Sequence, residues 1–281
     1  MKVIECPRDA MQGLHEFIPT KTKIEYINKL LEVGFDTIDF GSFVSPKAIP
    51  QMKDTAEVLA GLNLSDTESR LLAIVANLRG ANDAVQFDEI QYLGYPLSLS
   101  ETFQQRNTNR SIESAFSDLA EMQELCQDNQ KTLVVYLSMG FGNPYGDPYE
   151  MGYVTEFVEK LDELEVEVVS LADTIGVSEP QIIEKLFTNL IPKFPHIEFG
   201  AHLHSTPDTI EEKIKATFDS GCRRIDGAIK GFGGCPMAKD DLTGNMATEK
   251  MLDFFHRASI ETGISKAKFE EAVAMAPSVF G

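Results

Sequence analysis

The chain has 281 residues, 43% of them hydrophobic, and its 25 basic against 44 acidic side chains leave a formal net charge of −19. That supplies a sizeable core at a length close to the ~250 residues of a single α/β barrel. The charge excludes the basic face that a nucleic-acid binder needs, and no run reaches the ~18 apolar residues of a membrane span.

Lys2 to Cys6 reads as a first strand, with Pro7-Arg8-Asp9 as its exit. Thr20 to Val33 carries apolar residues at Ile24, Ile27, Leu30 and Leu31, a helical stripe closed by Gly34. Strands follow at Thr37–Ser42, at the strongly apolar Arg70–Ala76, at Glu89–Gly94 and at Thr132–Met139. Between them the pattern predicts helices at Asp54–Leu62, from Gly80 to Val85, and at Ser111–Asp128, with Ser111 or Asn109 near the last one's cap. Beyond these come a helix at Tyr153–Leu164, a strand at Glu167–Leu171, and a helix at Ser178–Phe194 with Pro180 in its first turn. A strand at Ile197–His204, a helix at Pro207–Ser220, a strand at Arg223–Ile229 and helices from Thr248 onward complete eight β-then-α units without a linker. Such alternation predicts a parallel sheet, and eight units in one domain spanning 1–281 predict a (β/α)8 TIM barrel. No G-x-G-x-x-G follows the first strand, against a dinucleotide-binding fold.

Four cysteines, Cys6, Cys126, Cys222 and Cys235, form no C-x-x-C pair. A zinc knuckle is therefore not expected. The N-terminus has no apolar stretch of a secretion signal, so free thiols in a reducing cytoplasm are expected.

In a barrel of this kind the active site lies at the C-terminal ends of the strands. That rule gathers Arg8, Asp9 and Gln12 after the first strand, Asp39 and Ser42 at the second, and Asp173 after the sixth. It adds His202 and His204 at the seventh, and after the eighth the glycine-rich run Gly231–Pro236, with Cys235, continuing to Gly244-Asn245. The chain has five histidines, and the pair at 202 and 204 stands at i, i+2, so on a strand both imidazoles project to one side. With Asp9 they form a carboxylate–imidazole set that can bind a divalent ion and leave positions open, to which Asn245 can add an amide oxygen; such mixed N/O ligands suit Mg2+ or Mn2+. Local alternatives stand beside each: Asp9 as a turn acid paired with Arg8, Asp173 as a turn cap, Asn245 as a Gly-Asn turn, Cys235 as an inert small residue.

Taken together, these motifs resemble the 3-hydroxy-3-methylglutaryl-CoA lyase family, in the metal-dependent barrel superfamily that also holds isopropylmalate and homocitrate synthases. The matching stretches are Pro7-Arg8-Asp9-Ala10-Met11-Gln12, Ser42–Lys47 with Pro50-Gln51-Met52, Asp173-Thr-Ile-Gly176, His202-x-His204, and Gly231–Pro236 running on to Gly244–Glu249. The cysteine loop separates the lyases from the synthases. The resemblance implies a retro-Claisen cleavage of 3-hydroxy-3-methylglutaryl-CoA to acetoacetate and acetyl-CoA. It implies Mg2+ or Mn2+ on Asp9, His202, His204 and Asn245. Arg8 would stabilise the enolate, Asp173 would move the hydroxyl proton, and Cys235 would protonate the enolate; Asp39 and His202 join the catalytic set. Gln12, Ser42, Asn107 and Arg110 would bind substrate, with Arg106, Asn107 and Arg110 near the CoA. The partner expected is an acyl-CoA substrate, with no nucleic acid and no membrane, and the assembly a cytoplasmic homodimer.

Three features depart from the pattern. Asp39, beside Phe40, stands where the lyases usually carry Glu; Ser138–Tyr145 lacks a cysteine that many relatives have; and the loop from Cys235 to Asn245 is one residue longer. The rival readings are a related 3-hydroxyacyl-CoA lyase, a condensing synthase of acyl-CoA with a 2-oxo acid, for which Cys235 is dispensable, and a catalytically silent barrel.

Overall fold

The structure is a computed structural model and describes residues 1–234 and 243–280. Its strands are β1 (Lys2–Glu5), β2 (Thr37–Ser42), β3 (Arg70–Ile74), β4 (Ile90–Ser98), β5 (Thr132–Ser138), β6 (Val168–Ala172), β7 (Glu198–His202), β8 (His204–Ser205), β9 (Arg224–Gly227) and β10 (Gly244–Asn245). Eight of them close a barrel in the order β1-β2-β3-β4-β5-β6-β7-β9, every neighbouring pair parallel and β9 returning to β1. The fold is the expected (β/α)8 barrel. Among the described residues no helix is long and apolar enough to cross a membrane.

Strand alternation divides the core in two. Leu72, Tyr92, Val134, Tyr136 and Val168 fill the barrel's inside, while the larger cluster, with Ile38, Phe40, Leu71, Leu93 and Val135, packs the outer strand faces against the helices. Phe40 therefore points away from Asp39 and does not crowd it.

Three differences from the sequence reading have local causes. The exit after β1 is a helix, Pro7–Gln12, because Pro7 occupies its first turn, where no N–H is needed. The segment after β4 is also helical, Glu101–Thr108: the Ser100 hydroxyl accepts from the Phe103 N–H, and Asn109 ends the helix in the left-handed region (φ 56°). Finally, β4 runs past Gly94 and through Pro96 to Ser98. The Gly94 carbonyl accepts from Val75, so Pro96, two residues on, turns its nitrogen to the same flank. There β3 has already ended, and the missing N–H costs no ladder bond.

The expected seventh strand is broken. β7 leaves the barrel at His202, and His204–Ser205 instead pairs antiparallel with Gly244–Asn245, His204 opposite Asn245. This pairing brings the segment before the last helices across the barrel mouth.

Candidate active site

The helix Pro7–Gln12 places Arg8, Asp9 and Gln12 on one turn at the mouth. Arg8 is 8% exposed. Its Nε donates to both Asp39 oxygens at 3.1 Å, and its Nη1 to Asp9 Oδ1 at 3.1 Å and to Gln12 Oε1 at 2.9 Å. Gln12 in turn donates to Asp9 Oδ1 at 2.8 Å. The guanidinium is thus held between two carboxylates, and Gln12 braces the same trio.

Asp9, His202 and His204 each offer a ligand atom, all within 4.8 Å of one another. The two imidazoles lie with ring centroids 5.5 Å apart, although β7 and β8 are separate strands. Asn245, opposite His204, donates its amide to Asp9 Oδ2 at 2.7 Å and to the Phe232 carbonyl at 2.9 Å, and its amide oxygen accepts no hydrogen bond among the described residues. His204 is 4% exposed, and its Nδ1 has no hydrogen-bond partner among the described residues. A buried ring nitrogen without a partner costs free energy unless something ligates it, so the donor set fits a divalent cation.

His202 makes its second contact below the site, Nδ1 to Asp226 Oδ2 at 3.0 Å. A carboxylate on the far ring nitrogen fixes tautomer and ring orientation, as outer partners of metal-ligating histidines do. Cys6, His202 and Asp226 also converge, but burial raises the Cys6 thiol well above its ordinary value, which opposes the thiolate a metal needs. Asp226 was not singled out from the sequence, although the same strand-end rule that found Asp39 points to it on β9.

Charges across the mouth follow from burial and neighbours. Burial raises Asp9, but Arg8, His202, the Asn245 bond and His204 outweigh it and hold the carboxyl below the usual carboxylate value. Burial lifts Asp39 to about 6 against the pull of Arg8, with Asp9 and Asp226 adding to the rise. Burial works against His202 protonation, yet Asp226 and Asp9 take it above the ordinary imidazole value. Burial and His202 push His204 below it, keeping a neutral, ligand-ready ring.

The other expected site residues are placed as follows. Asp173 is buried, with its carboxylate filled by donors: Val177 N–H to Oδ1 at 2.8 Å, and Ser178 N–H, Ser178 hydroxyl and Lys213 ammonium to Oδ2 at 3.0, 2.5 and 3.1 Å. It caps the turn after β6, with three donors on Oδ2 and one on Oδ1. Ser42 ends β2 in a buried position, its hydroxyl accepting from the Val44 N–H at 3.3 Å. Asn107 is exposed on the helix Glu101–Thr108, and Arg110 turns to Asp118 at 3.1 Å rather than to the histidine pair. Cys235 lies outside the described residues. Before it, Gly233 (φ +84°) presses so closely on the site that a Cβ there would stand 2.9 Å from the Asp9 carbonyl and from Asn245 Nδ2.

A family model described as HMGL-like matches residues 4–275, and the chain belongs to that family. It is 32% identical over 275 residues to mouse mitochondrial hydroxymethylglutaryl-CoA lyase, covering 97% of this chain and 83% of that protein. Among solved structures, the HMG-CoA lyase of Bacillus subtilis matches with a TM-score of 0.93 at 31% identity, over 100% of this chain and 93% of that one. The HMG-CoA lyase of Acinetobacter baumannii, solved with coenzyme A and 3-methylmalate, gives 0.92 at 29% identity, over 100% and 91%.

Proposed function

We propose that this chain is a hydroxymethylglutaryl-CoA lyase, cleaving 3-hydroxy-3-methylglutaryl-CoA to acetoacetate and acetyl-CoA. The observation that carries the reading is the Asp9–His202–His204 group at the barrel mouth with the Arg8 guanidinium beside it. The tertiary hydroxyl gives its proton to solvent water and becomes the ketone of acetoacetate as the bond between C2 and C3 breaks. The electron pair passes to the thioester, and the resulting enolate takes a proton at carbon to give acetyl-CoA. Negative charge therefore develops on two oxygens, and both need cationic or hydrogen-bonding partners.

Asp9, His202, His204 and Asn245 would hold Mg2+ or Mn2+, the choice favoured by one carboxylate, two imidazoles and an amide oxygen. Held there, a divalent ion would supply Lewis-acid stabilisation to negative charge developing on substrate oxygen. Arg8, fixed by Asp39 and Gln12, offers its guanidinium to the enolate oxygen. Asp226 orients His202, and Asp173 holds the turn after β6. Cys235, carried by the resemblance, returns the proton to the enolate carbon. A reducing cytoplasm is part of the proposal, supported by the buried free thiols Cys6, Cys126 and Cys222. A homodimer is too, and light scattering on the eluted protein checks it.

The test is to incubate the purified protein with 3-hydroxy-3-methylglutaryl-CoA and Mg2+, with and without EDTA, and follow acetoacetate. Chelator-sensitive release is expected. No product from protein that binds metal would move the assignment to another 3-hydroxyacyl-CoA or to condensation.

A further inference from the structure

His204 is anchored by little main chain. β8 has two residues, and its partner β10 offers Gly244 opposite Ser205 and Asn245 opposite His204. A ligand on so short a ladder needs another support to keep its ring aimed at Asp9 and His202. The support is Lys213, one turn into the helix Ile210–Asp219. Its Nζ donates to the His204 carbonyl at 2.7 Å, to Asp173 Oδ2 at 3.1 Å and to the Gly176 carbonyl at 3.4 Å. The residue is 3% exposed. An ammonium has three donors, and here three acceptors receive them. Burying a lysine is costly unless it is fully paired, so this arrangement holds in a narrow range of geometries and ties its acceptors to one another.

We propose that Lys213 is a positioning residue for the metal centre. By clamping the His204 carbonyl to the end of β6, it holds the His204 imidazole in the Asp9–His202 group. The proposal rests on the metal reading of that group. Neutralising Asp173 alone would not require the bond to His204, which at 2.7 Å is the shortest of the three. Asp173 also keeps three other donors without Lys213. The two roles therefore separate experimentally.

The experiment titrates chelator-treated protein with Mn2+ by calorimetry, beside thermal melts, for the native chain, Lys213→Met and the double variant Asp173→Asn/Lys213→Met. The native chain binds Mn2+. Lys213→Met binds it about tenfold more weakly or worse, as loss of an outer support commonly gives. The double variant, which removes both charges together, keeps the weakened Mn2+ affinity, because the His204 carbonyl is still untied. Should the single variant not fold, the double variant is compared with Asp173→Asn alone, which keeps the bond from Lys213 to the His204 carbonyl. Native Mn2+ affinity in a folded Lys213→Met or in the double variant overturns the positioning role and leaves the metal centre standing. Absence of Mn2+ binding by the native chain overturns the metal reading and this inference with it.

Discussion

Glu5 ends β1 with its side chain on the outer face of the barrel, 1% exposed. It accepts from the Ile229 N–H at 2.8 Å and from the Thr248 hydroxyl at 2.7 Å. Burial, against the pull of those two bonds and with help from Glu249, raises its carboxyl from 4.5 to about 8. A folded value above the unfolded one means that the native state holds a proton that the unfolded chain has released. Stability from this group is therefore complete below pH 4.5 and is lost as pH climbs toward 8. At 1.36 kcal/mol per unit the whole window amounts to about 5 kcal/mol, and the stretch from about pH 5.5 to 7.5 to about 3 kcal/mol. Glu5→Gln keeps one acceptor and one donor in place and removes the titration. With roughly 2–4 °C per kcal/mol for a chain of this size, the native melting temperature should fall over that stretch by roughly 6–12 °C more than that of Glu5→Gln. Scanning calorimetry of both proteins across the range gives the difference directly. Parallel curves would show that Glu5 is ionised in the folded protein at neutral pH and contributes no such pH dependence.

Asp226→Asn removes the carboxylate that orients His202 and should weaken Mn2+ by about tenfold to a hundredfold in calorimetric titration; unchanged affinity would show that the His202 ring needs no such support. Gly233→Ala forces a left-handed residue and a Cβ against Asp9 and Asn245, a cost of about 1 kcal/mol or more; both the melting temperature and Mn2+ affinity should fall, and native values for both would contradict the close approach. Cys235→Ala should lower turnover about a hundredfold or more while Mn2+ binding stays native, and near-normal acetoacetate release would remove its proton-donor role.

The barrel was legible in the sequence because strands such as β3 and β5 are short apolar runs between helical stripes, and the strand-end rule then gathered Arg8, Asp9, Asp39, His202 and His204. Local periodicity could not show that His204 leaves the barrel, because its partner strand lies forty residues away at Gly244–Asn245. The i, i+2 argument predicted convergence of the two rings, and the convergence is present, but it is produced by that long-range pair as much as by strand alternation. Two short helices escaped detection since neither is long enough to display a stripe; Pro7 and Ser100 were the available signals. For Asp173 the residues alone leave a proton carrier and a cap side by side, and the four donors that make the cap come from Val177, Ser178 and the distant Lys213. Lys213 carries no sequence signal at all: on an amphipathic helix a lysine reads as solvated, and its burial against His204 is a tertiary fact.

One divalent ion is expected on Asp9, His202, His204 and Asn245. Anomalous diffraction from crystals of the protein grown with Mn2+ tests it most directly. A single strong peak is expected in contact with those four side chains, with Asp226 behind His202 and not touching the ion. A peak among Cys6, His202 and Asp226, or none at the mouth under saturating Mn2+, would contradict it.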